Sequence, residues 1–209
     1  MNSRGGSEPK SRVVRRPALL IGGTAVALLL LALLAVSEHG FGEAALRSIV
    51  RGTARVAVTL FSLTFATSSL HTVRRSHATK WLLANRRYLG LSFALAHTDH
   101  LLSLLALGVC FPDPFVDDLD SATLIGGGIA YAFLFAMAAT STNAAFRMLG
   151  AGRWRALHTV GSYYIWLIFA FSYLPLASES AGAVAFTVIL VIALLLRLAR
   201  LFHESRKPG

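Results

Sequence analysis

Seven histidines are spread through the 209-residue chain, and three of them lie inside apolar sequence. In LSFALAHTDHLLSLLAL, His97 and His100 are three residues apart, a spacing that puts both imidazoles on one face of a helix. Asp99 lies between them in sequence but on a different face. His158 follows a basic stretch, in RWRALHTVGSYY, and opens another apolar run. Ionisable side chains at such depth are expensive in hydrocarbon and face the bundle interior, so a functional role is their default reading. Imidazole in an apolar helical bundle suits haem iron, because haem is flat, mostly apolar and takes axial ligands from facing helices. Zinc would want more ligands, closely grouped, and this pattern has none to add. The competing reading is a set of neutral histidines, each hydrogen-bonded to a neighbouring helix. Two on one face and a third on a helix of the same orientation favour ligation. Asp99 reads as a partner that orients a histidine, as a partner for an arginine, or as a proton carrier. His39 and His203 fall in loop or terminal sequence, and His71 and His77 flank a basic loop at headgroup level.

The elements that must position these residues are membrane helices. Hydrophobic residues make up 55% of the chain and charged ones 14%, and the mean hydropathy is +0.62. Six apolar runs, at about 17–36, 49–70, 88–111, 122–146, 157–177 and 181–200, each approach the ~20 residues a helix needs to cross a bilayer. Arg51 and Arg55 interrupt the start of the second run and would snorkel to the interface. The first run exceeds the ~7–15 apolar residues of a signal peptide, and no small-x-small cleavage site follows it. The expected fold is therefore all-α, a polytopic bundle of six transmembrane helices over 17–202. A basic segment precedes it at 1–16 and a short tail follows at 203–209.

Charge alternates between the loops. Arg4, Lys10, Arg12, Arg15 and Arg16 precede the first run. Arg74, Arg75, Lys80, Arg86 and Arg87 follow the second, Arg147, Arg153 and Arg155 the fourth, and Arg197, Arg200, Arg206 and Lys207 close the chain. The intervening loops, SEHGFGE, PDPFVDDLD and ASESAG, are acidic or neutral. The positive-inside rule puts both termini in the cytoplasm of a multi-pass protein of the bacterial inner membrane. The net charge of +10 thus reports topology in a lipid bilayer; no nucleic-acid surface is implied. The single Cys110 excludes an internal disulfide, and no C-x-x-C-H attaches a c-type haem. The longest extramembrane piece is expected at about 71–87, far below the ~50 residues of a nucleotide or flavin domain. Phosphate-binding glycine motifs are missing as well; Gly126, Gly127 and Gly128 sit in an apolar run and read as close-packing positions. Electrons handled by this chain must come from a separate molecule.

Three segments, RGTARVAVTLFSLTFATSSL, RRYLGLSFALAHTDHLLSLL and TSTNAAFRMLGAGRWRALHTVGSYY, resemble the ferric-reductase-like transmembrane domain family. Within it they are most similar to the haem-binding membrane subunits of bacterial methionine sulfoxide reductase systems. The resemblance covers about residues 50–177. It implies a six-helix b-type cytochrome that passes electrons from a cytosolic donor, a flavin reductase carrying FMN or a quinol, to an acceptor on the far side. A periplasmic reductase subunit is the implied acceptor. Carried over residue by residue, His100 matches the third-helix haem histidine and His158 the first histidine of the fifth helix, while His97 is additional. The family's second fifth-helix histidine falls at a position that here holds Phe171.

Depth separates the candidates. His100 lies 13 residues past Arg87 and His158 three past Arg155, so on two helices of the same direction their levels differ by ~15 Å at 1.5 Å per residue. One haem sandwiched between His100 and His158 is not expected. The candidate iron ligands are His100 and His158, with His97 as a substitute. Arg86, Arg87, Arg153 and Arg155 are expected to pair with haem propionates or an anionic flavin, or to serve as topology anchors only. The alternative function is a haem-free six-helix scaffold or assembly subunit, which Phe171 favours. A small transporter using Asp99 as proton carrier is weaker, because the sequence has no inverted repeat.

Overall fold

The computed structural model describes residues 15–113 and 121–205. Arg4, Lys10, Arg12, most of the acidic PDPFVDDLD stretch, Arg206 and Lys207 fall outside the described residues, as does the side chain of His203. Six long helices follow one another: α1 (Pro17–His39), α2 (Glu43–Val73), α3 (His77–Cys110), α4 (Ser121–Ala139), α5 (Asn143–Tyr173) and α6 (Ala181–Ser205). A single 3-10 turn, Pro175–Ser178, joins α5 to α6. All six are long and apolar enough to cross a membrane, and no strand occurs among the described residues. The chain is an all-α, multi-pass bundle.

Local chemistry sets the helix ends. Pro17 stands in the first turn of α1, where its missing N–H costs nothing. Ser76 and Thr79 form a reciprocal capping box that starts α3. The Thr142 side chain accepts from Ala145 N and starts α5. These caps correct the expected loops. Helices α2 and α3 run through the polar stretch at 71–87, leaving only Arg74, Arg75 and Ser76 between them, so the longest extramembrane piece does not exist as a loop. Helix α4 ends at Ala139, seven residues before the apolar run does, because Thr140 to Thr142 turn the chain. Helix α5 begins at Asn143, well before the apolar residues at 157, and is broken at Gly150, whose φ of 77° suits glycine. Hydropathy marks the hydrocarbon; the helices continue into the interface, where main-chain hydrogen bonding still favours them.

Helix α2 packs antiparallel on α3 over most of their length and also meets α6 and α1, while α4 packs on α5. The shared core holds Phe61, Phe65, Phe93, Leu134, Ile165 and Phe169. Close approach of α4 and α5 depends on small residues, as expected where lipid gives no hydrophobic drive between helices. A Cβ on Gly161 would stand 3.0 Å from Phe133 and 3.1 Å from Met137, and one on Gly126 3.1 Å from Ile168. Gly127 and Gly128 face open space, so the expected packing role falls on Gly126 alone. Hydroxyls within the spans bond to carbonyls a turn back, as Thr24, Thr64, Thr67 and Thr98 do. Leucines 29, 30, 33 and 34 of α1 are more than half exposed, a surface suited to acyl chains.

Most of the basic residues gather at one end of the bundle. The Arg16 N–H at the head of α1 donates to Asn85 Oδ1 of α3 at 2.9 Å, and Arg87 Nη1 donates to Asn143 Oδ1 at 3.1 Å. The α2–α3 and α4–α5 turns therefore share this basic end with the start of α1. Toward the opposite end, Arg47 pairs with Glu43 at 2.6 Å, and Arg51 and Arg55 are exposed on α2.

Candidate functional site

At the basic end, α2, α3, α4, α5 and α6 enclose a cavity of ≈ 580 Å³. Its volume lies within the ~300–1,000 Å³ of typical ligand sites. Phe61, Phe65, Phe93 and Leu134 line its apolar depth, and His158 stands in its wall. Arg86, Arg87, Arg155, Arg197 and Arg200 line it too, and no carboxylate does among the described residues. Of the four arginines expected to bind a cofactor, Arg153 is the exception: it is exposed and does not line the cavity.

The α4–α5 turn builds the setting of His158. Its Nε2 lies 3.2 Å from Thr140 Oγ1. That hydroxyl donates its one proton to the Ala136 carbonyl at 2.7 Å, with a longer contact to Met137 O at 3.3 Å. The oxygen must then accept from the imidazole, which assigns the ring proton to Nε2 and leaves Nδ1 with the lone pair. Trp154 stacks on the ring at 4.1 Å between centroids and 25° between planes. Its indole N–H donates to the Thr140 carbonyl at 3.0 Å, tying α5 to the end of α4. Phe146, packed edge-on against Trp154 at 5.5 Å, completes the wall. His158 thus sits about two turns past the break at Gly150.

His97 and His100 meet beyond the apolar depth of this cavity, with Phe93 between it and His97. Their rings stack at 5.4 Å and 13°. His100 Nδ1 lies 3.0 Å from the Val50 carbonyl and 3.2 Å from Thr53 Oγ1. A carbonyl can only accept, so Nδ1 carries the proton and Nε2 the lone pair, the arrangement typical of ligating histidines. His97 is packed among Tyr131 at 4.7 Å, Phe169 at 5.3 Å and Phe93 at 5.5 Å. Its buried Nδ1 and the Tyr131 hydroxyl have no hydrogen-bond partner. Because His97 touches Phe169, eleven residues beyond His158 on α5, the two histidine levels are separated by ~16 Å. The structure does not bring His158 together with either of the others. Asp99 has no side-chain partner recorded; its carbonyl accepts from Ser103. His71 bonds Thr79 at 3.1 Å within the α2–α3 cap.

Phe171 does not face His100. It is 67% exposed on the outer surface of α5, whereas Phe169, 5% exposed, fills the space beside His97. The helical phase of α5 decides this: positions 165 and 169 are inward, and 171 lies about 200° around the axis from 169.

A haem needs a roomy apolar slot, an imidazole and cations for its two propionates. The basic-end cavity offers all three, with one protein imidazole, His158. The space around His97 is taken up by aromatic rings, and the residues there do not fit a porphyrin in this packing. Among the described residues no three His, Cys, Asp or Glu converge on a metal. Trp154, Thr140, Tyr131, Arg197 and Arg200 were not singled out as site residues by sequence. The two α6 arginines had a signal, since charges inside LLLRLAR are out of place in an apolar run.

Over 153 residues the chain is 35% identical to the protein-methionine-sulfoxide reductase heme-binding subunit MsrQ of Ralstonia nicotianae, covering 72% of this chain and 68% of that protein. To the subunit of the same name from Azospira oryzae it is 31% identical over 161 residues, 76% of this chain and 67% of the relative. No protein-family model matches the chain, and no solved structure matches it.

Proposed function

The chain belongs to the family of heme-binding membrane subunits of protein-methionine-sulfoxide reductases, and from that premise we propose that it is a b-type haem protein carrying electrons across a bacterial inner membrane. One observation supports this above the others: a histidine with an assigned proton and an orienting partner lines a ligand-sized cavity rich in arginine. His158 would hold the iron, with Thr140 orienting its imidazole. Arg87 and Arg155 would pair with the propionates. Haem bound there supplies one-electron storage. The chain's own part is to orient the imidazole, to neutralise the carboxylates and to keep water from the apolar depth through Phe61, Phe65 and Phe93. His97 lies ~16 Å deeper and His100 three residues of α3 further; a second haem there would require the packed rings of Tyr131, Phe93 and Phe169 to move. Both termini, and with them the cavity, face the cytoplasm in this reading. A separate flavin reductase with FMN, or a quinol, delivers electrons, and a periplasmic reductase subunit receives them.

The rings packed at the His97 level favour a second reading, in which the chain is a haem-free scaffold or assembly subunit. A reduced-minus-oxidised spectrum of the purified protein separates the two. Haem absorbance lost in His158→Ala and kept in His100→Ala supports the proposed site. A wild-type protein expressed with ample haem that shows no such absorbance is the scaffold.

A further inference from the structure

A smaller cavity of ≈ 210 Å³ adjoins the first, lined by Arg86 of α3, Arg197 and Arg200 of α6, and the residues Ser68, Thr159 and Tyr163. We propose that it is a subsite for a phosphate group, as a monoester or a diester, gripped chiefly by Arg86 and Arg197. The two cavities share Phe65, Arg86, Thr159, Arg197 and Arg200, and the smaller is below the ~300 Å³ at which sites for larger ligands begin.

Charge carries the argument. Arg86 and Arg197 enter one small space, and every contact recorded for them is neutral. Arg86 Nε donates to the Thr64 carbonyl at 3.3 Å. Arg197 Nη1 donates to the Phe65 carbonyl at 3.5 Å, and its guanidinium lies over the rings of Phe65 at 4.2 Å and Tyr163 at 4.8 Å. No Asp or Glu lines either cavity among the described residues. Like charges brought together in a poorly screened space repel, and an anion between them removes that cost. Propionates in the larger cavity do not supply it, because Arg87 and Arg155 line that cavity alone and can take them. Geometry agrees with charge. A guanidinium held between two rings set at 85° to each other is a preorganised fork for tetrahedral oxyanions. Ser68, Thr159 and Tyr163 add hydroxyl donors of the kind that complete phosphate shells. Two sources offer this chemistry at the basic end: a phospholipid headgroup, entering past Leu201, which is 52% exposed, or a soluble phosphate ester.

The test uses the full chain, delipidated in maltoside detergent, and follows its thermal unfolding midpoint at constant ionic strength. Three matched pairs differ in the phosphate group: inorganic phosphate against chloride, glycerol 3-phosphate against glycerol, and phosphatidylglycerol against diacylglycerol. At least one phosphate-bearing partner is expected to raise the midpoint above its match. Arg197→Gln should weaken that effect at least tenfold in concentration, while Arg75→Gln, which removes an exposed charge from the α2–α3 turn, should leave it intact. A response confined to phosphatidylglycerol identifies the lipid headgroup, and a response to phosphate or glycerol 3-phosphate identifies the soluble group; either supports the subsite. The proposal is overturned if no phosphate-bearing compound outperforms its match in the wild type. It is also overturned if Arg197→Gln responds like wild type, or if Arg75→Gln loses as much. Should Arg197→Gln fail to fold, Arg197→Lys, which keeps the charge and loses the fork, takes its place with a smaller expected loss. None of these readings measures iron, so the haem assignment can fail while this one stands.

Discussion

Thr140→Val is the most discriminating perturbation of the His158 site. The hydroxyl donates to Ala136 at 2.7 Å and so accepts the imidazole proton across 3.2 Å. Valine keeps the shape and removes only that acceptor. The Trp154 indole still donates to the main-chain carbonyl of residue 140, so the α4–α5 connection survives. A neutral hydrogen bond is worth about 0.5–1.5 kcal/mol net, and the loss of fold stability should not exceed that. The effect on iron binding should be larger. Losing the group that fixes a ligand's tautomer and orientation typically lowers metal affinity about 10–100-fold, which corresponds to about 1.4–2.8 kcal/mol at 1.4 kcal/mol per decade. Titrating haem into the apo-protein and following the Soret band measures the affinity, and the thermal midpoint of the same sample measures the fold. Weakened haem binding at a nearly unchanged midpoint is the expected result. If Thr140→Val binds haem like wild type while His158→Ala abolishes binding, the tautomer argument fails and iron sits on Nε2. If His158→Ala leaves haem content unchanged, the cavity assignment fails with it.

Four further outcomes follow from the geometry. Because His158 is the one histidine lining the cavity, reduced haem there should keep an exchangeable axial position and shift its spectrum on adding CO; indifference to CO would reveal a second strong ligand. Phe171→His should leave the haem spectrum unchanged, since that position is 67% exposed, whereas Phe169→His puts an imidazole beside His97 and should alter haem content or axial ligation; equal effects would contradict the helical phase of α5. The purified chain should not oxidise NAD(P)H by itself, and turnover without added flavin reductase, flavin or quinol would remove the need for a separate donor. A reporter that is active only in the periplasm, fused after Gly209, should stay silent, and a signal from it would invert the proposed topology.

The hydropathy of the chain made the six helices legible, because a bilayer imposes one length and one composition on anything that crosses it. Their ends were not legible by the same signal. Ser76 and Thr142 are N-caps with extended backbone in the short breaks between helices, and a window over hydropathy does not mark where the helices beside them end and begin. The separation of His100 from His158 could be counted along two parallel helices as ~15 Å; the contact between His97 and Phe169 puts His97 alone ~16 Å away and His100 three residues further, so the count has the right sense and falls short in size. The facing of α5 could not be counted in that way. Its rotation is set by Gly161 against Phe133 and Met137 and by Trp166 donating to the Leu190 carbonyl at 3.0 Å, contacts with two other helices. Spacing within one helix contains neither. Arg197 was visible as a charge in an apolar run and was read as topology, since its partners, Phe65 and Tyr163, are 132 and 34 positions away.

The α4–α5 turn explains why this end of the bundle holds the candidate site. A stretch of four polar residues, Thr140 to Asn143, inside two apolar runs would be wasteful if it only reversed the chain. Each of three has a separate task at the cavity. Thr140 receives the His158 proton and, through its carbonyl, anchors Trp154. Thr142 caps α5 and so fixes where that helix starts. Asn143 takes the Arg87 guanidinium and fastens α3 across the opening. The break at Gly150 then lets the rest of α5 set its own direction into the bundle, with Gly161 allowing it to lie close to α4. Three side chains of one turn thus bear on the placement of the imidazole and of the helices beside it, the kind of support that ligand placement requires.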